Sequence, residues 1–136
     1  MIPRYRVWDK QTERMHIVSG IDFNDGLVSS VNIWHEGWPW VLEPDEIVLM
    51  QSTGLKDKDG VGIFDGDIVL VNVSNGFDHL VNEKTVVQES EFHSGLICKS
   101  LASGMEYRVF KHKKMDYEYE VIGNIYENSE LLEEQR

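Results

Sequence analysis

Apolar and polar residues alternate through most of this chain, in short runs broken by clusters of Gly, Asn and Asp. That period of two is the mark of half-buried β-strands. Tyr5–Trp8 and Met15–Val18 flank the polar DKQTER and predict a hairpin. Residues 21–23 (IDF) and 27–34 (LVSSVNIW) predict strands joined by a tight turn near Asp25–Gly26, because Asn, Asp and Gly tolerate positive φ. Residues 46–54 (EIVLMQSTG) form a short apolar run that predicts a strand entering the core. A VGIF strand, a DGD turn and a strongly apolar strand over Ile68–Val71 come next. Further strands are predicted in 82–90, 92–101, 105–112 and 117–126. In the last, Tyr117, Tyr119 and Val121 fall on one face and Glu118 and Glu120 on the other. Only the end reads as helical, with Asn128 as N-cap and Leu131 and Leu132 docking a short helix on the body.

Short strands with repeated turns predict a mainly β fold of antiparallel strands, β-rich α+β once the terminal helix is counted. The expected layout is one compact unit. It comprises an N-terminal β subdomain over 1–60, an SH3-like small barrel over 61–126 and a short C-terminal helix over 127–136. No linker, low-complexity tract or internal repeat interrupts it, and GLKDKDG is the best candidate for a subdomain joint.

Charge narrows the choice of partners. With 13 Lys and Arg against 24 Asp and Glu, the net charge is -11. Long-range repulsion then disfavours nucleic acid and favours a basic protein partner or simple solubility. One basic stretch runs against the trend: Arg108, Lys111, Lys113 and Lys114, beside Tyr107 and Phe110. It is the candidate surface for an alternative role as a nucleic-acid-associated factor, and equally a strand whose charges complement the acidic segment after it. The single cysteine, Cys98, excludes an internal disulfide and suits a reducing cytosol. No apolar stretch is long enough for a signal-peptide core or a membrane span, so the expectation is a cytoplasmic protein with no membrane partner.

Candidate chemistry is sparse. DKDG and FDGD collect Asp57, Asp59, Asp65 and Asp67, but an EF-hand frame with Gly60 in sixth place puts Leu55 first and Gly66 twelfth, where oxygen ligands are required. The acids read as turn residues instead, and no metal or cofactor is expected. His16, His35, His79, His93 and His112 are scattered, without a zinc-binding spacing. Cys98 reads as a small core residue. His35 and Glu36 lack a neighbouring nucleophile, and the chain has no P-loop, dinucleotide fingerprint or nucleophile elbow, so no catalytic residues are assigned. The most unusual stretch is NIWHEGWPWVLEPDE, which holds Trp34, Trp38 and Trp40 around Pro39. These indoles suit a core or subunit interface, or, if exposed, a platform for a ligand or partner.

Three blocks carry a family resemblance: YRVWDKQTERM, IVLMQSTGLKDKDGVGIFDGDIVLV and YEVIGNIYENSELL. Together they resemble the YopX family of small phage and prophage proteins. The resemblance spans both termini and the middle of the chain, leaving Gly20–Pro44 and Val73–His112 unmatched. It implies a β-rich bacterial cytoplasmic protein and oligomer formation, and it brings neither an activity nor catalytic residues. The functional expectation is a non-enzymatic accessory factor that binds a host or phage protein or assembles as a homo-oligomer.

Overall fold

A computed structural model describes residues 4–74, 79–92, 95–107 and 117–133 of the 136. These residues form eleven strands in a mostly antiparallel arrangement. The chain divides into two compact units, Met1–Ser52 and Thr53–Arg136.

In the first unit, strands β1 (Tyr5–Asp9), β2 (Arg14–Asn24), β3 (Leu27–His35) and β4 (Trp38–Leu42) follow one another as hairpins. The first part of β5 (Ile47–Lys56) returns beside β1, giving the order β4-β3-β2-β1-β5. The predicted turn at Asp25–Gly26 is present, with φ of 53° and 80° at its two residues. The β3–β4 turn repeats the device at Glu36 and Gly37, with φ of 53° and 82°. Positive φ at both central residues is what a two-residue hairpin needs to match the strand twist. Val7, Val31, Ile33, Leu42 and Ile47 form the core of this unit. The segments MHIV and IDF, read separately above, are one eleven-residue strand, with a register shift between Val18 and Gly20.

The second unit contains the end of β5, the short β6 (Gly62–Phe64) beside it, and a five-stranded antiparallel sheet. That sheet runs β10 (Glu106–Tyr107), β9 (Leu96–Ser100), β8 (His79–Glu89), β7 (Asp67–Ser74), β11 (Glu118–Asn124). Ile63, Val69, Val71, Val87 and Cys98 make the core of this unit; Tyr119 and Val121 pack against it from one face of β11, as their alternation predicted, and Tyr117, just before the strand, joins them.

Two expectations are corrected here. No closed barrel forms among the described residues, because β10 and β11 remain the two edges of an open sheet and β10 contributes a ladder of only two residues. The C-terminal helix is a 3-10 turn over Ser129–Leu132. Asn128 does not cap it with its side chain. Instead Asn128 Oδ1 accepts a hydrogen bond from the backbone N–H of Asn124 at 3.1 Å, so the residue closes the end of β11. Four residues are too few to repay helix nucleation once the cap is used elsewhere.

Candidate functional site

The aspartates of the central block serve the fold. Asp57 is buried, and its carboxylate accepts three backbone hydrogen bonds. Oδ1 takes the N–H of Asp59 and of Val61, each at 2.9 Å, which closes the DKDG turn. Oδ2 takes the N–H of Val121 at 2.9 Å, tying that turn to β11 across 64 residues of sequence. Burial pushes the Asp57 carboxyl up, but the three N–H donors and nearby Lys58 outweigh it and hold the group below the ordinary aspartate range. Lys58 adds ion pairs to Glu118 and Glu120 at 3.8 and 4.0 Å. Asp67 Oδ2 likewise accepts the N–H of Phe64, at 2.8 Å, across the DGD turn. Among the described residues, no three His, Cys, Asp or Glu side chains gather as a metal site. Cys98 lies in the core, where burial raises its thiol to about 12, far from a reactive thiolate.

The aromatic segment is different in kind. Trp34, Trp38 and Trp40 are 63, 72 and 51% exposed. They sit on the hairpin of β3 and β4, and the register separates them. Trp38 pairs with His35 and Trp40 with Ile33, so these four share a face. Trp34 pairs with Pro39 and projects to the opposite face, along with Val41. The structure therefore brings two of the three tryptophans together.

Strand β4 is also an edge of its sheet. In a two-residue hairpin the closing pair, here His35 and Trp38, exchanges hydrogen bonds, and bonded pairs then alternate. Pro39 and Val41 consequently turn their backbone groups outward. Proline has no N–H to offer, so Pro39 blunts this edge against strand addition while costing the ladder nothing. What the hairpin presents to solvent is its side chains.

Beside Trp40, on the same face, lies a groove of about 400 Å³. Ile33 and Leu42 line it as buried apolar residues, and Asp9, Arg14, His16, His35 and Glu36 supply polar groups. The His16 and His35 rings meet edge to face at 5.2 Å, and His35 meets Trp40 in the same manner at 5.9 Å. Arg14 Nη1 is 3.4 Å from His35 Nε2, which accepts, since a guanidinium only donates. Burial lowers the His16 pKa, with His35 and Arg14 pushing the same way and Asp9 opposing. Asp9 Oδ1 accepts the N–H of Gln11 at 3.0 Å and so holds the β1–β2 turn. Scattered in sequence, His16 and His35 are neighbours in space. Arg14 and Asp9 gave no signal at all, because only the β1–β2–β3 register aligns them.

Of the alternative basic surface, Tyr107 lies in β10 and packs on the core of the second unit. Arg108, Phe110, Lys111, Lys113 and Lys114 lie outside the described residues, as do His93 and His112.

Fold and surface together define a two-unit, mainly antiparallel β protein in which Asp57 and Asp67 hold turns and an aromatic hairpin is among the exposed features of the described residues. Residues 4–133 match the sequence model of the YopX protein, and the chain belongs to the YopX family. Protein EF1440 from Enterococcus faecalis is similar in structure, with 26% identity and a TM-score of 0.65, covering 98% of this chain and 99% of its own. The yopX protein from Bacillus subtilis shares the fold at 21% identity and a TM-score of 0.63, covering 96% and 98%. No curated protein matches the chain. No helix among the described residues is long and apolar enough to cross a membrane.

Proposed function

We propose that this YopX-family protein is a phage- or prophage-encoded, non-enzymatic accessory factor. It acts in the bacterial cytoplasm by binding a host or phage protein or by self-association. The observation that carries this reading is the exposure of Trp38 and Trp40 on one face of a hairpin held by a tight turn. Indoles left in water at this level contribute little to the core, and aromatic residues are the anchors of protein interfaces. Further support comes from the aspartates: the Asp57 carboxylate accepts three backbone N–H groups and that of Asp67 accepts one from its own loop.

The test is solution mass together with capture from bacterial lysate, for the wild-type chain and for Trp38→Ala/Trp40→Ala. The expected result is a stoichiometric complex or a defined oligomer that the double substitution removes. A chain that stays monomeric and captures nothing, with or without the two indoles, overturns the reading.

A further inference from the structure

The groove beside Trp40 lies wholly within the first unit and has the size of a small-molecule pocket. Its floor is apolar, since Ile33 and Leu42 are buried, and Trp40 stands at its side half-exposed. A half-exposed indole is a wall that a second flat ring can cover. The polar rim carries both signs of charge. Arg14 faces Asp9 across the β1–β2 ladder, and Glu36 stands at the β3–β4 turn with its side chain 78% exposed. Asp9 gives Oδ1 to the backbone of its own turn. Burial, with His35 and Arg14 adding to it, favours the neutral form of His16, so at neutral pH His16 brings no further positive charge. A ligand of either net charge therefore meets a like charge at this rim. A neutral ring with both donors and acceptors at its edge meets a partner for each. Two of the charged groups stand together: Arg14 Nη1 and Glu36 Oε1 lie 3.4 and 3.8 Å from the same nitrogen, His35 Nε2.

We propose that this groove binds a guanine-type base, a planar ring without net charge whose neighbouring edges present paired acceptors and paired donors. The ring stacks on Trp40 above Ile33 and Leu42. The Arg14 guanidinium, a fork of N–H donors, takes the O6 and N7 acceptors. The Glu36 carboxylate accepts from N1–H and from the N2 amino group on the adjoining edge. Adenine fits worse on both counts: it sets an amino group where the guanidinium needs an acceptor, and its unprotonated N1 faces the carboxylate. Pyrimidines are single rings and cover less of the indole. A phosphate on the ligand gains nothing, because the chain carries a net charge of -11 and two carboxylates line the rim. This inference goes beyond the interaction reading above. It turns on Arg14 and Glu36, which that reading does not need, and on a small molecule rather than a captured protein.

The experiment titrates the full chain with guanosine, adenosine, cytidine and guanosine monophosphate and follows the indole N–H and imidazole signals by NMR. Guanosine is expected to shift Trp40, His16 and His35 saturably and to leave Trp34, on the opposite face, unmoved. It should bind about tenfold more tightly than adenosine, the discrimination of one good bidentate pair. Arg14→Gln and Glu36→Gln should each weaken guanosine by about tenfold, whereas Trp34→Ala retains it. Arg14 and Glu36 are both exposed, so the two substitutions leave the core intact, and the shifts themselves are read on the wild-type chain. Equal affinity for the three nucleosides, insensitive to both substitutions, is unspecific stacking and overturns the proposal. So does a monophosphate that binds more tightly than the nucleoside and is released by salt, which makes the groove an anion site. No shift of Trp40 at millimolar guanosine overturns it as well. If guanosine does not bind while Trp38→Ala/Trp40→Ala abolishes capture of a partner, this inference fails and the interaction reading stands; guanosine binding without capture does the reverse.

Discussion

Asp57 gives the sharpest test of the structural reading of the central block. Its carboxylate satisfies the N–H groups of Asp59, Val61 and Val121 from a buried position. Replacement by Asn keeps one oxygen for the turn but sets an NH2 group against a donor; facing Val121 it meets an N–H head-on. The cost is about 2 kcal/mol, the range for losing a charge-assisted bond and stranding its partner. Replacement by Ala removes all three bonds. Asp59 and Val61 are exposed and their freed N–H groups regain water, while Val121 is half-buried, so the total is about 3 kcal/mol rather than three full penalties. That is a large share of the roughly 5–15 kcal/mol that holds a domain together. The assay is urea unfolding by far-UV circular dichroism, with hydrogen exchange of the Val121 amide as the local reporter. Indole fluorescence is the wrong probe here, because Trp8, Trp34, Trp38 and Trp40 all belong to the first unit. The effect also has a pH signature. Because the folded-state pKa is depressed, the unfolded chain binds more protons in acid and stability rises with pH there. The Asp57 contribution is therefore complete above the ordinary aspartate value of 3.8 and is lost as pH falls through the lower folded value. An Asp57→Ala protein within about 0.5 kcal/mol of wild type, with Val121 exchange unchanged, would refute the reasoning.

Gly123→Ala should destabilise by about 1–3 kcal/mol, since a Cβ at Gly123 would lie 2.5 Å from Asn128 Oδ1 and 2.9 Å from Asn128 Cβ. Thermal unfolding checks it, and a melting temperature equal to wild type would show that Asn128 swings aside freely. The Cys98 thiol, buried and raised to about 12, should resist a disulfide reagent at neutral pH in the native protein and react at once in urea; rapid native labelling would contradict its place in the core.

The family blocks acquire a physical meaning from these contacts. TGLKDKDG is the end of β5 and a turn whose first aspartate reaches β11, and VIGNIYEN is the end of β11 folded back on itself. There Asn124 Oδ1 accepts from Tyr126 and Glu127, and Asn128 closes over a glycine. A turn propensity for Asp was legible in the first block, but the partner 64 residues away was not, and the second block, which reads as strand through Tyr126, turns already at Asn124. The helix expected after Asn128 failed for the same reason: the sequence shows a capping side chain, and the fold spends it backwards on Asn124.

Local rules were enough for the strand-rich character, the Asp25–Gly26 turn, the division of Tyr119 and Glu120 between two faces of β11, and the core position of Cys98. Each depends on backbone angles or on a period of two within a few residues, which a sequence records directly. Whether the sheet closed, which face each tryptophan took and whether two distant histidines met depended on strand order and register. One residue of slip exchanges the faces of an entire strand. Trp34 and Trp38 are four residues apart yet face opposite ways because a two-residue turn lies between them, and His16 meets His35 because β2 and β3 pair in one register. Those alignments are settled by burying Val7, Val31, Ile33 and Leu42 together, a condition that only the assembled sheet imposes.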